Sequence, residues 1–406
     1  MQTSSNGQIK RSLRTRLAHA GERRSGSILP MSEPIYQNSV YGFADSVEAD
    51  RAFAEGRPLY ARDGMPNVRS LERAVADLEG AEDAVAVSSG MAAIAMSFLA
   101  LLESGDHVVI GCEGYCDTGA LLTELGRKFE LRVSRVNLND RDALQAVLTP
   151  ATKLIFAETI SNPGLRLADL PAIASAAREF GALLIVDNTF ATPALCRPIE
   201  FGADLVVHSA GKFLGGHHDT TAGVVVGSRE LIARIRRSTY LYGPLLAPME
   251  AWLIMRGMKT LAPRMEWSSR SAMIVANWLI EQPAVEAVRY PGRSDSANQA
   301  LANRMLPRGA GGVLAFDLRD GESAALALLP LLTTIPYVPS VGGTTTIASF
   351  PPRSPAFDGE GEPVMEPYRS ATIRLSVGLE DPAEIIADLD RALVALPSVD
   401  QTRSLA

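Results

Sequence analysis

The sequence is poor in cysteine and has no long run of basic residues. Only 3 of its 406 residues are cysteines, Cys112, Cys116 and Cys196, and they lack the spacing of metal ligands. An odd number without a pairing pattern indicates free thiols in a reducing compartment, so we expect a cytoplasmic protein without a metal site. The net charge of −7 argues against nucleic-acid binding as the main role.

The sequence also lacks a secretory signal. The first twenty residues carry four basic side chains and no acid, but no apolar segment follows them. A transit peptide is one interpretation, and a flexible or partner-wrapping arm is the favoured one. The uncharged stretch 84–102 is long enough to span a bilayer, but Ser88, Ser89 and Gly90 interrupt it. We therefore predict a strand, a turn and a buried helix there, and no membrane association.

The chain is long and apolar enough for two domains. It is 47% hydrophobic, with a mean hydropathy of +0.08, which suffices for a large core. Alternating strand and helix patterns up to about Val226 predict an α/β domain with a mostly parallel sheet. A helical region follows over 229–279, and the remainder is typical of a smaller α+β domain that ends in a helix over 381–396.

This organisation gives three predicted parts: an arm over 1–62, a large domain over 63–260 and a small domain over 261–406. Residues 16–60 are predicted to be irregular and extended. The segment 351–367 is rich in proline and glycine, so we expect a surface loop there.

Polar side chains follow two short apolar runs in the middle of the chain. Leu183–Val186 is followed by Asp187, and residues 204–207 are followed by Ser209 and Lys212. Runs of this kind are typical of central strands in a parallel sheet, whose carboxyl ends form ligand sites. We therefore expect Asp187, Ser209 and Lys212 to converge.

An acid and a lysine placed in this way suit pyridoxal 5′-phosphate. The lysine attaches the cofactor and the acid keeps its pyridine nitrogen protonated. The alternative is that Asp187 caps a helix and Lys212 is a surface lysine. Their shared position where a strand meets a loop favours the cofactor.

Three further features have both a functional and a purely structural interpretation. The turn 88–91 opens a helix, where it either cradles a phosphate or serves as a simple cap. Tyr115 either stacks on a flat ring or is a half-buried surface aromatic. Asn162, beside a proline, is either a turn residue or a donor to the ring oxygen of the cofactor.

Nine motifs carry a resemblance over most of the chain. In order they read HAGERRSG, YARDGMPN, SSGMAA, ETISNP, VDNTFATP, HSAGKFLGGH, YPG, SVGG and IRLSVGLED. The ordered set resembles the Cys/Met-metabolism family of pyridoxal-phosphate enzymes, which includes cystathionine γ-synthase, cystathionine γ-lyase, cystathionine β-lyase and methionine γ-lyase. The resemblance implies the fold-type I aminotransferase architecture and a homotetramer built from two catalytic dimers.

The resemblance also implies roles for individual residues. Lys212 binds the cofactor and moves protons, Asp187 pairs with the pyridine nitrogen, and Tyr115 stacks on the ring and protonates the leaving group. Phosphate contacts are implied for Gly90, Met91 and Ser209, and for Tyr60 and Arg62 toward the cofactor of the neighbouring subunit.

Arg374, with Ser340 and Asn162, is implied to bind the α-carboxylate of an amino-acid substrate. A planar guanidinium can bind both oxygens of a carboxylate at once. A surface ion pair is the alternative for Arg374, but its apolar neighbours in ATIRLSVGL argue against it.

The sequence departs from the family pattern at several positions. The departures are Met65 for Asn, Asn67 and Gly211 for Thr, Cys116-Asp117 for Gly-Gly, and Pro339 at a position that varies within the family. We expect a γ-eliminating or γ-replacing enzyme, a C–S lyase or transferase, acting on a homoserine- or homocysteine-derived amino acid in trans-sulfuration or related metabolism. A β-lyase and a non-catalytic binding or regulatory protein are the alternatives.

Overall fold

A computed structural model describes residues 11–21, 30–293, 299–350 and 372–396. The chain divides into two compact units. One holds the described residues up to Leu101 together with Leu205–Ala262, and the other holds Leu102–Asp204 together with the described residues from Pro263 onward. The predicted division after residues 62 and 260 stays a prediction.

Fourteen α-helices and eleven strands lie in the described part of the chain. The helices are α1 (Leu13–Ala18), α2 (Ser46–Ala54), α3 (Pro66–Glu79), α4 (Gly90–Leu101), α5 (Cys116–Phe129), α6 (Arg141–Val147), α7 (Leu170–Glu179), α8 (Thr192–Leu195), α9 (Arg229–Tyr242), α10 (Pro248–Met258), α11 (Leu261–Leu279), α12 (Gln299–Met305), α13 (Gly321–Leu328) and α14 (Pro382–Val394). The strands are β1 (Asp83–Val87), β2 (His107–Gly111), β3 (Arg132–Val136), β4 (Thr152–Glu158), β5 (Leu183–Asp187), β6 (Leu205–Ser209), β7 (Gly223–Gly227), β8 (Val285–Arg289), β9 (Val313–Leu318), β10 (Ile347–Ser349) and β11 (Thr372–Ser376).

The larger sheet is mixed and mostly parallel, as predicted. Its strand order is β1-β7-β6-β5-β4-β2-β3. Strands β2 to β5 pair in parallel, whereas β7 runs antiparallel to both β1 and β6. Strands β5 and β6 are apolar and buried over most of their length, which is why each reads as a continuous apolar run. Each ends on a predicted site residue, Asp187 or Ser209.

The smaller sheet is antiparallel, with the order β10-β11-β9-β8. Its central strands β9 and β11 are buried along their whole length. Strand β11 carries Arg374, opposite Ala315 of β9 and Ser349 of β10. The predicted α/β class with a smaller α+β region near the carboxyl end is confirmed.

The prediction of an irregular arm over residues 16–60 is wrong in part. Helices α1 and α2 lie in and beside it, and each begins at a polar cap: Ser12 accepts from the N–H of Thr15, and Asp45 accepts from the N–H of Glu48. Both helices are short, so caps rather than an apolar stripe define them. The helical region over 229–279 is confirmed as α9, α10 and α11.

Some expectations fall on residues outside the described ranges. These are the predicted loop over 351–367 and the last five letters of HAGERRSG. In the part of the chain that the structure describes, no helix is both long and apolar enough to cross a membrane.

Candidate active site

The segment that carries Lys212 is closed by backbone hydrogen bonds. The N–H of Lys212 donates to the carbonyl of Ser209 at 3.1 Å, and the N–H of Gly216 donates to the carbonyl of Lys212 at 2.7 Å. Burial, and the nearby charge of Lys212, lower the pKa of His218. The turn after β6 therefore holds the lysine backbone rigidly beside a histidine that stays neutral at neutral pH.

Helix α4 opens with a gap for an anion. Ser89 accepts from the third and fourth N–H groups of the helix, those of Ala92 and Ala93, at 3.0 Å each. The N–H groups of Gly90 and Met91 have no acceptor within the helix, because the first turn of any helix leaves such donors over. They are the donors that a phosphate would take.

Gly90 lies directly against Ser209. A Cβ atom built on Gly90 would be 2.7 Å from the Cβ of Ser209, and one on Gly223 would be 2.0 Å from the carbonyl oxygen of Ser89. Only glycine fits such close approaches. The structure thus brings Gly90, Ser209 and Lys212 together, and a cradle of backbone donors and a hydroxyl fits the phosphate of pyridoxal phosphate.

Gly211 also stands at a close approach. A Cβ atom there would be 2.4 Å from the carbonyl oxygen of Thr220. This backbone leaves no room for the threonine that the family pattern has at this position. The departure therefore matches the path of the chain around Lys212.

Tyr60 and Arg62 contact each other, and Arg62 also contacts the ring of Tyr240. The guanidinium of Arg62 lies 4.9 Å from the centre of the Tyr60 ring and 5.2 Å from that of Tyr240. Tyr60 is 40% exposed. Among the described residues neither side chain bonds to Ser209 or Lys212.

Two other departures from the family pattern fix the arm. The side chain of Asn67 accepts from the N–H of Tyr36 and donates to the carbonyl of Pro34, both at 2.8 Å. Met65 is buried, and its sulfur accepts from the hydroxyl of Tyr41 at 3.9 Å. Asn67 and Met65 therefore have structural roles here.

Asp187 and Glu158 end the neighbouring strands β5 and β4 and are register partners. One oxygen of Asp187 accepts from the N–H of Thr189 at 2.9 Å, so the acid also orders the loop after its strand. Asp187 lies in one compact unit, and Ser209 and Lys212 in the other. Their convergence stays a prediction.

Glu158 accepts two backbone hydrogen bonds, one on each oxygen. The N–H of Tyr115 donates to Oε1 at 2.6 Å, and the N–H of Asn162 donates to Oε2 at 2.9 Å. Burial and the nearby Asp187 raise the pKa of Glu158 to about 8, against the opposing effect of the two donors. One carboxylate thus touches two of the predicted site residues.

Arg374 is buried and surrounded by neutral acceptors. Its guanidinium donates to Oδ1 of Asn162 at 2.8 Å, to the carbonyl of Ser340 at 3.3 Å and to the hydroxyl of Ser349 at 3.0 Å. Its buried Nε has no partner, and no described carboxylate pairs with it. Burial lowers the pKa of Arg374 to about 10, so the group stays charged at neutral pH. The surface ion pair considered above is absent from the described residues.

Tyr115 stands at the start of α5. Burial, with a hydrogen bond to Asp117, raises the pKa of its phenol above the usual range. The phenol therefore keeps its proton at neutral pH. Asp117, one of the departures, acts directly on Tyr115.

Sequence reasoning missed three members of these clusters. Glu158 and Ser349 bond to predicted residues, and the third is His208, the neighbour of Ser209 in β6, which forms a buried pair with Glu79 at 2.8 Å. Of these, only Glu158 stands at a position, the end of a predicted strand, that could have drawn attention to it.

Comparison with known proteins gives a consistent result. The model of the family described as Cys/Met metabolism PLP-dependent enzyme matches residues 14–394. The chain is 37% identical to an L-methionine gamma-lyase of Pseudomonas putida, over 94% of this chain and 97% of that protein. It is also 37% identical to an O-succinylhomoserine sulfhydrylase of Pseudomonas aeruginosa, over 94% of this chain and 95% of that one.

A solved structure shares the fold. It is cystathionine gamma synthase from Xanthomonas oryzae in complex with aminoacrylate and cysteine, with a TM-score of 0.87, 30% identity, and coverage of 95% of this chain and 98% of that one. The predicted fold-type I architecture is confirmed. The chain belongs to the Cys/Met metabolism family of pyridoxal-phosphate-dependent enzymes.

Proposed function

We propose that the protein catalyses γ-elimination or γ-replacement on an amino acid derived from homoserine or homocysteine. The observation that carries this proposal is the state of Arg374. Among the described residues this buried guanidinium meets only neutral acceptors and its Nε has no partner, so it is ready for a carboxylate from outside the chain. The α-carboxylate of an amino acid supplies that group.

The named relatives support the γ-position as the site of reaction. Methionine gamma-lyase and O-succinylhomoserine sulfhydrylase carry names of reactions at the γ-carbon, and each covers nearly the whole chain. Asp117 is one of the departures from the family pattern, which favours a substrate other than the common one. A polar acid at this position suits a γ-substituent that is larger or more polar than a methylthio group.

Individual residues of this chain then have separate roles in the reaction. Pyridoxal phosphate, when bound, supplies an electron sink for the electron pair left at the α-carbon. Arg374 and the Nδ2 group of Asn162 orient the carboxylate, and Nζ of Lys212 takes and returns protons at carbon. The phenol of Tyr115 is protonated, so it can donate that proton to the departing γ-substituent.

We also propose a cytoplasmic homo-oligomer with at least a dimer as the working form. Arg62 is exposed between two aromatic rings and has no described carboxylate partner. A second copy that brings a cofactor phosphate to this arginine would complete both sites. Mixing Arg62→Ala subunits with Lys212→Ala subunits tests this, because hybrid dimers regain one intact site and should restore activity. If the mixture stays inactive although hybrids form, the shared site is refuted.

Product analysis tests the reaction itself. Cofactor-loaded protein is incubated with L-cystathionine, and the 2-oxo acid is identified by mass spectrometry. Cleavage at the γ-carbon, with uptake of one water, gives cysteine, ammonia and 2-oxobutanoate, which is the expected result. Pyruvate with homocysteine would establish β-elimination instead and overturn the proposal.

A synthase would leave cystathionine untouched. In that event, O-succinylhomoserine with a thiol is the second substrate pair, and formation of the thioether supports γ-replacement. A protein that binds the cofactor and converts neither substrate set refutes the proposed function.

A further inference from the structure

Glu158 links two parts of the predicted site that are far apart in sequence. Its Oε1 receives the N–H of Tyr115, 43 residues upstream, and its Oε2 receives the N–H of Asn162, four residues downstream. Asn162 in turn accepts from Arg374 through its side chain. Glu158 thus fixes the backbone of two residues. One is Tyr115, whose phenol is protonated, and the other is Asn162, whose side chain contacts Arg374.

The loop that carries Tyr115 is shaped for this contact. A Cβ atom on Gly114 would lie 3.1 Å from Oε1 of Glu158, closer than most real contacts, so the glycine lets the loop approach the carboxylate. A cavity of about 70 Å³ borders the loop, lined among others by Gly111, Tyr115, Arg135 and Glu158. Tyr115 and Glu158 both line this cavity, so their hydrogen bond lies at its wall.

We propose that Glu158 is a positioning residue that holds Tyr115 and the Asn162–Arg374 pair in fixed positions relative to each other. It acts through these residues and not on the substrate, since its two oxygens contact the backbone N–H groups of Tyr115 and Asn162. The inference rests on the proposed function, because Tyr115 and Arg374 act on the substrate there.

The replacement Glu158→Gln tests this positioning role. Glutamine keeps the size but offers one acceptor, and its amide hydrogens face the second backbone N–H, so one of the two contacts is lost. We expect kcat/KM to fall about 10- to 100-fold, with a rise in KM from the Asn162 side and a fall in kcat from the Tyr115 side. The visible absorption of the cofactor-loaded protein should shift as well, because Tyr115 is expected to stack on the ring.

Asp204→Asn is the matched control. Asp204 accepts from the N–H of Leu184 at 2.8 Å, at the amino end of β5, whereas Glu158 stands at the carboxyl end of β4. It is the same kind of bond at the other end of a strand in the same unit. Asp204→Asn should lower the melting temperature and leave KM, kcat and the absorption band unchanged.

Glu158→Asp and Gly114→Ala complete the series. Aspartate keeps the carboxyl group but is one methylene too short to reach both donors, so an intermediate loss is expected. Gly114→Ala pushes the loop from Oε1 while the carboxylate stays, and it replaces Glu158→Gln should that variant not fold. A folded Glu158→Gln enzyme with wild-type KM, kcat and absorption overturns the inference, and so does an equal change in Asp204→Asn.

Product analysis of the wild-type protein distinguishes a failure of this inference from a failure of the proposed function. If it releases no 2-oxobutanoate and forms no thioether, the proposed function fails. If it is active and the Glu158 and Gly114 variants match it, only the positioning role fails.

Discussion

The two compact units fix their candidate site residues by different means. In the unit with Gly90, Ser209 and Lys212, backbone contacts dominate, and glycines stand where any side chain would meet neighbouring atoms at 2.0 to 2.7 Å. In the unit with Tyr115, Glu158 and Arg374, a carboxyl group reaches backbone donors and a guanidinium reaches an amide oxygen. The first unit therefore depends on the absence of side-chain bulk, and the second depends on specific polar and charged side chains.

This difference teaches which substitutions matter in each unit. A cradle made of backbone cannot lose a donor by mutation, but added bulk can close it. A network of buried polar and charged groups is as sensitive to added bulk as the backbone cradle is. It also fails when one partner is removed, because the remaining group stays buried and unpaired. Each prediction below changes one of these properties.

The largest effect is expected for Lys212→Ala. The variant removes the amine that attaches the cofactor and moves protons, so turnover should fall by at least about 10³-fold. The wild-type protein should be yellow and lose its colour on borohydride reduction. A Lys212→Ala protein that stays yellow and active would refute the assignment. Lys259→Ala, on the segment after α10, serves as the control lysine.

The next effect is expected for Arg374→Lys. Lysine keeps the charge but cannot bond Asn162, Ser349 and a carboxylate in one plane. We expect kcat/KM to fall about 10- to 100-fold, mostly through KM, measured by steady-state kinetics.

Arg289→Lys is the control for the loss of a guanidinium in the same unit. Arg289 pairs with Asp317 at 2.6 Å and bonds Thr372. It should lower the melting temperature without raising KM. An equal rise in KM for both variants would show that Arg374 acts through stability alone.

A smaller effect, opposite to what the family pattern suggests, is expected for Gly211→Thr. The substitution restores the threonine of the family, but its Cβ would meet the carbonyl of Thr220 at 2.4 Å. Overpacking of this kind costs about 1–3 kcal/mol, so affinity for the cofactor should fall about 10-fold or more. Titration of the apoprotein with pyridoxal phosphate measures it.

Gly42→Thr is the matched control, because no atom lies within 4 Å of a Cβ built there. Its cofactor affinity should equal that of the wild type. Tighter binding by Gly211→Thr would show that the backbone near Thr220 yields and that the hydroxyl is simply missing.

Gly211 also illustrates the limit of prediction from sequence. The strands that end on Asp187 and Ser209 follow from apolar runs and turn residues, and the structure confirms them. The reason for glycine at 211 lies in the backbone of Thr220, nine residues later, and no periodicity reports such an approach. The same holds for Glu158, whose donors come from two different loops.

The arm shows a second limit. Helices α1 and α2 depend on single hydrogen bonds from Ser12 and Asp45 to backbone N–H groups. A cap residue without an apolar stripe behind it is a weak signal, because serine and aspartate are as common in turns. The closing helix, predicted over 381–396, agrees with α14 within two residues at each end.

The smallest effect concerns a carboxylate in the second unit that serves stability. Asp388 accepts from the N–H groups of Thr333, Thr334 and Ile335. Burial opposes ionisation, but these donors outweigh it and lower the pKa of Asp388 from 3.8 to about 2. Because the folded pKa lies below the unfolded one, Asp388 contributes about 2 kcal/mol above pH 4, and this contribution is lost as the pH falls to about 2.

Asp388→Asn should therefore lower the free energy of unfolding by about 2 kcal/mol at pH 7, and the difference from the wild type should shrink as the pH falls through the range from about 4 to 2. Denaturant titrations at several pH values measure it. Asp390→Asn, exposed on the same helix, should show no such dependence. If the Asp388→Asn difference stays constant down to pH 2, lost packing explains it and the charge does not. The contrast between the units would then rest on Glu158 and Arg374 alone. Glu158 is proposed to position Tyr115 and Asn162, and Arg374 is proposed to bind the carboxylate of the substrate.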